Sequence, residues 1–271
     1  MKSIYNIKLA ICSLLVFLGL NVVAQETIKV PLTNPNKEGY LKMGILNGSI
    51  SIKGYDGKEV VITGTKRDGH SRRRNRKERE GLKRITARFL EFSAEEFDNK
   101  VRVKSSSNGI TDFEIKIPKN FSMKISTTNR GNIYVENVNG NIDVSNTNGS
   151  ITLKDISGSV SADALNKNIT VSFIKVTPNI PMAFSSLNGD IDITFPKNIK
   201  ADVKVKSERG EIYTDFDLKT KSSEAKVTKG ENNRGNAYNV KVEKWITGTI
   251  NGGGPEILFK NYNGDVIIRS K

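Results

Sequence analysis

Residues 130–174, RGNIYVENVNGNIDVSNTNGSITLKDISGSVSADALNKNITVSFI, cycle between apolar and polar positions every nine residues. Counted from the residue before each glycine, position 4 holds Ile133, Ile142, Ile151, Val160 and Ile169. Position 6 holds Val135, Val144, Leu153, Ala162 and Val171, and position 5 between them holds Tyr134, Asp143, Thr152, Ser161 and Thr170. Apolar, polar, apolar with an excess of β-branched residues is the signature of a strand with one buried face. Position 9 is again mostly apolar (Val138, Thr147, Ile156, Leu165, Ile174), while position 8 reads Asn137, Asn146, Asp155, Ala164 and Phe173. A straight strand of period two would keep position 8 inward. The apolar phase slips by one residue instead, which predicts a corner in every unit. Gly131, Gly140, Gly149 and Gly158 recur at position 2, with Lys167 in the same slot. Glycine's freedom to take positive φ suits such a corner.

Asn139-Gly140 and Asn148-Gly149 are hairpin signals and would suit an antiparallel meander. The phase slip favours a coiling chain. The expected fold class is all-β, a parallel β-solenoid of nine-residue Gly-x-Ile-x-Val units. Its short strands stack in register about 4.8 Å apart. One unit alone cannot bury its apolar face, so stacking makes the core. Two units per turn give a flattened coil, and three remain compatible with the pattern. Asn139, Asn148 and Asn166 at position 1, and Asn132, Asn141 and Asn168 at position 3, read either as side-chain ladders along the corners or as plain turn formers.

The rhythm continues in residues 47–55 and 56–64, 179–187 and 188–196, and 254–262 and 263–271. A longer echo joins IPKNFSMKISTTNRGNIY (117–134) to FPKNIKADVKVKSERGEIY (195–213), with one inserted residue. Residues 25–271 therefore read as one domain. A basic insertion at 65–99 interrupts it, with either a short helix or a strand pair toward its end. Residues 219–236, polar and poor in large apolar side chains, read as a second loop.

Residues 1–24 carry a different pattern. Lys2 and Lys8 precede an uncharged apolar run, and Val22-Val23-Ala24 supplies a cleavage site, so they read as a secretory signal peptide cut before Gln25. A membrane anchor would need roughly 20 apolar residues. Cys12, the only cysteine, lies within this segment, and Ile11 is a poor neighbour for a lipid-modified cysteine. The mature chain then has no disulfide, thiolate nucleophile or cysteine metal ligand. Export places the protein in the periplasm or on the outer cell surface.

Asn47-Gly48-Ser49-Ile50, the tandem Gly-x-Ile-x-Val units and the terminal Asn263-Gly264-Asp265-Val266-Ile267-Ile268 together resemble the bacterial "putative adhesin" β-strand-repeat family of exported, Bacteroidetes-type proteins of unknown function. The resemblance covers nearly the whole mature chain. It implies a right-handed, parallel β-helix-like domain in the cell envelope.

Charge adds one local feature. The formal net charge is +14, or +12 without Lys2 and Lys8. Residues 66–84 alone carry ten Lys/Arg against Asp68, Glu78 and Glu80, a net +7. Within that run Arg72, Arg73, Arg74, Arg76, Lys77 and Arg79 form a candidate polyanion site, since arginine's fork matches phosphate and carboxylate. The alternative is a solvated run that binds nothing. Export favours anionic lipid, lipopolysaccharide or an acidic glycan as its partner and argues against nucleic acid.

His70, the sole histidine, lies in the same polar run, so no triad or two-histidine metal site can be assembled. Asp143, Asp155, Asp163, Asp190 and Asp192 would suit hydrolysis or calcium if paired. Scattered at alternating positions, they read as a solvated face, and no Gly-Gly-x-Gly-x-Asp repeat accompanies them. The reading is a non-enzymatic envelope scaffold, with no cofactor and no metal, that binds an envelope protein or glycan. A carbohydrate-active enzyme on an acidic polysaccharide is the alternative, as is a tether to an anionic surface through the arginine-rich run.

Overall fold

Alternation along the chain becomes alternation in space. In Ile133–Glu136, Ile133 and Val135 are buried, while Tyr134 and Glu136 are half-buried on the other face. The computed structural model describes residues 25–67, 90–106, 109–222, 226–231, 238–243 and 245–271, with side chains described outside 221–244. Every regular element among them is a strand, and 20 of these strands join in one mixed sheet.

Most pairs are parallel and in register, with a shift at Leu153–Ser157 where the long strand turns its corner. Ile151 pairs with Ile133 on one side and Ile169 on the other, eighteen residues away each time. Val144 likewise pairs with Ala162. Two nine-residue units therefore separate one level of the stack from the next. Each level, called a tier here, has a first strand on one face and a second strand on the opposite face.

Eight tiers follow from these pairings. Tier 1 is Lys100–Ser105 with Ile110–Pro118, and tier 2 is Gly39–Asn47 with Ile50–Tyr55. Tier 3 is Phe121–Asn129 with Ile133–Glu136. Tier 4 is Asn139–Asn146 with 151–154, and tier 5 is 157–164 with Ile169–Val176, the long strand Ile151–Ala164 serving both. Tier 6 is Met182–Asn188 with Ile191–Phe195, tier 7 is Glu256–Asn263 with Val266–Ser270, and tier 8 is Ala201–Ser207 with Ile212–Thr214.

The inward columns of both faces make one core. Ile50, Ile133, Ile151, Ile169, Ile191 and Val266 form a column of fully buried side chains through six tiers. Phe173 stacks on Phe195 at 5.1 Å between centroids, and Phe184 on Phe259 at 5.3 Å. In-register stacking sets each member of these two pairs against its counterpart one tier along.

Two differences from the sequence expectation follow. First, the sheet is mixed. Beyond tier 1, Glu59–Arg67 and Phe92–Phe97 pair antiparallel with its two strands, and Gln25–Pro31 pairs antiparallel with Glu59–Arg67. Beyond tier 8, Ile246–Ile250 and then Lys219–Ser222 do the same. A parallel stack otherwise ends in open edges, and polar, lysine-bearing antiparallel strands blunt them. Residues read as a polar loop thus supply strands, including the hairpin of Lys226–Glu231 with Tyr238–Glu243.

Second, corners come in two kinds that alternate. After a second strand, Asn137 (φ 58°) and Asp155 (φ 54°) turn through the left-handed region, and the following Val138 and Ile156 are buried. After a first strand the inward phase continues. Asn146 and Ala164 are buried there, whereas Leu165 points outward. The nine-residue glycine rhythm therefore overlies an eighteen-residue structural repeat.

The glycines also act differently from expectation. Of the four repeat glycines Gly158 takes positive φ (157°), while Gly131, Gly140 and Gly149 do not. A Cβ on Gly149 would lie 1.8 Å from the carbonyl oxygen of Gly131 one tier away, and one on Gly131 would lie 2.0 Å from that of Gly48. The corner is closed by backbone approaching backbone, which leaves no room for a methyl group.

Candidate functional site

Corner side chains lock the tiers together. Asn148 donates to Asn129 (2.6 Å), Asn166 to Asn148 (2.8 Å), Asn188 to Asn166 (3.1 Å) and Asn263 to Asn188 (3.4 Å). Beside this ladder, the backbone N–H of one tier donates to a side-chain oxygen of the next. Ser150 N–H donates to Asn132, Asp190 N–H to Asn168, and Asp265 N–H to Asp190. At the opposite corner Asn139 donates to Asn120, and Ser159 Oγ donates to Asn141. All six asparagines singled out in the sequence are thus engaged across tiers.

With corners fixed, outward side chains line up in straight columns. On the second-strand face, Lys53, Glu136 and Lys154 lie on neighbouring tiers. Glu136 pairs with both lysines, at 3.6 and 3.2 Å. The hydrogen bond from Lys154 holds the Glu136 carboxyl below the usual carboxylate range, with the Lys53 charge adding to it. Further along, Arg269 forks onto Asp192, with Nε at 2.9 Å and Nη2 at 3.2 Å.

The first-strand face is built differently. Glu95, Arg102, Lys42, Lys124 and Asp143 stand side by side on successive strands. Three cations are therefore adjacent, flanked by one carboxylate at each end. Asp143 accepts from Lys124 at 2.6 Å, which raises the lysine's pKa, and Glu95 accepts from Lys104 at 2.7 Å, which lowers its own.

A parallel column beside these cations holds Phe97, Lys100 and Tyr40. Asp98 (φ 49°) and Asn99 (φ 60°) form the two-residue turn that presents Phe97, which is 82% exposed. On the other side lies a depression of about 260 Å³, floored by Gly44 and lined by Ser105, Ser106, Ser126 and Thr128. It opens where the pairing between tiers 1 and 2 stops, after Val103 and Met43.

The carboxylates considered for catalysis are dispersed. Asp143 and Asp163 occupy the first-strand face, Asp192 the other, Asp190 lies in the corner ladder, and Asp155 sits at another corner 3.8 Å from Lys271. Among the described residues no three His, Cys, Asp or Glu side chains group as a metal site. His70 and the candidate polyanion residues Arg72, Arg73, Arg74, Arg76, Lys77 and Arg79 lie outside the described residues, as do residues 1–24, read as a signal peptide, with Cys12. Sequence reasoning passed over Lys42, Arg102, Lys124 and Phe97. Their adjacency depends on tiers 1 and 2 being neighbours, which local periodicity does not reveal.

No curated protein matches the chain. Among solved structures, a "putative cell adhesion protein" from Clostridium sporogenes aligns over 92% of this chain and 100% of its own, at 13% identity and a TM-score of 0.45. A "putative adhesin" from Bacteroides fragilis aligns over 92% and 97%, at 13% identity and a TM-score of 0.33. The family model described as Toastrack DUF4097 matches residues 37–251, most of the sequence and every paired tier except tier 7, and the chain belongs to that family.

Proposed function

We propose that the tiers are turns of a single β-solenoid, two nine-residue units per turn, acting as a non-enzymatic exported scaffold of the cell envelope. The observation that carries this reading is the register. Corner ladders join tiers 3 to 7, and strand pairing carries the outward columns through the neighbouring tiers as well. Such a surface presents repeated chemistry at the strand spacing of about 4.8 Å, which suits an extended partner better than a compact small molecule. The leader-like residues 1–24 support export. The arginine-rich run 72–79 supports an additional contact with a polyanion such as lipopolysaccharide or anionic lipid.

The test is binding of the mature chain, residues 25–271, to anionic vesicles, lipopolysaccharide and acidic glycans at low and high salt. A version with the six basic residues of the run neutralised is measured alongside. Saturable binding without turnover supports the scaffold, and dependence on the run assigns it the tether role. Reproducible cleavage of an envelope polysaccharide, lost on mutating a surface Asp, would overturn the reading in favour of an enzyme.

A further inference from the structure

We infer that the outer face of tiers 1 to 3 is a binding site for a linear acidic polysaccharide, laid along the stack axis with its carboxylates on Arg102, Lys42 and Lys124. The inference rests on the scaffold reading and names the ligand class and the residues for it.

The first argument is charge. Like charges directly opposite on neighbouring strands destabilise a sheet. On the second-strand face the like-charge neighbours Lys116 and Lys53 are followed by Glu136, a carboxylate that pairs with Lys53 and Lys154. On the opposite face the column instead runs Arg102, Lys42, Lys124 without interruption. The two flanking carboxylates are hydrogen-bonded to Lys104 and Lys124, and Lys42 between the other two cations has no ion pair within the described residues. Three adjacent cations on rigid strands form a preorganised site for a row of anions.

The second argument is spacing. The cations recur at the tier separation, about 4.8 Å, close to the length of one sugar in an extended polysaccharide. A polymer with one carboxylate per sugar would meet one cation per tier. Arg102 can take a carboxylate bidentately, and the lysines act as point charges.

The third argument is the chemistry on either side. Phe97 and Tyr40, flanking the column with Lys100 between them, offer apolar ring faces for the C–H face of a sugar. The depression on the far side presents the hydroxyl groups of Ser105, Ser106, Ser126 and Thr128. Gly44 keeps it open, since a Cβ there would lie 2.8 Å from Ser126 Oγ. Aromatic on one flank and hydroxyl on the other suit a hydroxylated polyanion better than polyphosphate or a lipid head group.

The experiment is calorimetric titration of the mature chain with oligogalacturonates of two, three, four and six sugars, with the methyl-esterified oligomer and polyphosphate as comparators. Affinity should rise to three or four sugars and then level off, and fall with salt. The double variant Lys42→Gln/Arg102→Gln should lose at least ~10-fold in affinity, and Phe97→Ala should lose less. The opposite-face control Lys53→Gln/Lys154→Gln should stay within about two-fold. Because the double variant relieves like-charge repulsion, its thermal midpoint should be unchanged or higher, so lost binding cannot be ascribed to misfolding. Retention of wild-type affinity by the double variant overturns the inference, as does equal binding of the ester or tighter binding of polyphosphate. If the wild type binds other envelope polymers but not oligogalacturonate, the inference falls and the scaffold reading stands. If it binds none of them, both fall.

Discussion

Replacing Gly149 by alanine tests whether corner glycines serve backbone freedom or close approach. Gly149 lies outside the positive-φ region, so a methyl group costs nothing in local conformation. That methyl would sit 1.8 Å from the Gly131 carbonyl oxygen and 2.7 Å from Asn146 Nδ2. Ordinary contact requires the two tiers to part by more than an ångström at this corner. The hydrogen bonds there are Gly149 N–H to Asn146 Oδ1 and Ser150 N–H to Asn132 Oδ1, both 2.9 Å. Overpacking costs about 1–3 kcal/mol, and each distorted hydrogen bond adds about 1 kcal/mol, so the expected loss is roughly 3–5 kcal/mol.

Gly252 is the matched control. Its φ is +88° and nothing lies within 4 Å of its would-be Cβ, so alanine there meets only conformational strain. That strain is worth about 1–2 kcal/mol. Urea and thermal unfolding followed by circular dichroism should therefore rank Gly149→Ala well below Gly252→Ala. At about 2–4 °C per kcal/mol for a chain of this size, the midpoint of Gly149→Ala should drop by on the order of 10 °C. If Gly252→Ala proves the more damaging, conformational freedom is the reason for the glycines and the close-approach argument is wrong.

Three further outcomes are expected. Asn146 is buried, donates to the Gly131 and Ser150 carbonyls and accepts from Gly149, whereas buried Asn261 leaves its Oδ1 without a partner. Asn146→Ser should therefore cost about 2–3 kcal/mol and Asn261→Ser clearly less, checked by urea midpoints. Glu136 is held below its ordinary value of 4.5, so its contribution is complete above that pH and fades as pH falls through its folded value. Glu136→Gln should accordingly shrink the stability difference between pH 7 and pH 3, and an unchanged difference would sink the claim. Removing residues 256–271 deletes buried Ile257, Phe259, Val266 and Ile268. At about 1.5–3 kcal/mol each this approaches a typical domain's whole stability of about 5–15 kcal/mol. The truncated chain should show no cooperative unfolding transition.

That last expectation depends on the order of the tiers, which is not the order of the sequence. Tier 7, formed by the C-terminal residues, lies between tiers 6 and 8 and pairs with both. Tier 2, formed early in the chain, lies likewise between tiers 1 and 3. The chain therefore skips one level twice, from Pro118 to Phe121 and from Phe195 to Ala201, each time over a level filled by a distant segment. Both skips carry the same tripeptide, Pro118-Lys119-Asn120 and Pro196-Lys197-Asn198. Carbonyls at these skips serve the inserted strands and their neighbours. Asn120 C=O accepts from Gly39 N–H, and Lys197 C=O accepts from Asn251 Nδ2.

The echo between residues 117–134 and 195–213 was visible in the sequence, and its meaning was not. Periodicity reports which residues face inward and how far apart the corners lie. Ile133, Ile151 and Ile169 were legible as core for that reason, and the asparagines as possible ladders. Periodicity is blind to which tier lies next to which once the chain leaves simple succession. For the same reason the column Arg102, Lys42, Lys124 was hidden, since its members come from segments about 60 and 80 residues apart that only the skip brings together. The interleaving has a mechanical consequence as well. A repeat stack that follows its sequence can fray one unit at a time from either end. Here neither tier 2 nor tier 7 can leave without exposing two neighbours, so fraying from the ends gives way to an all-or-none loss.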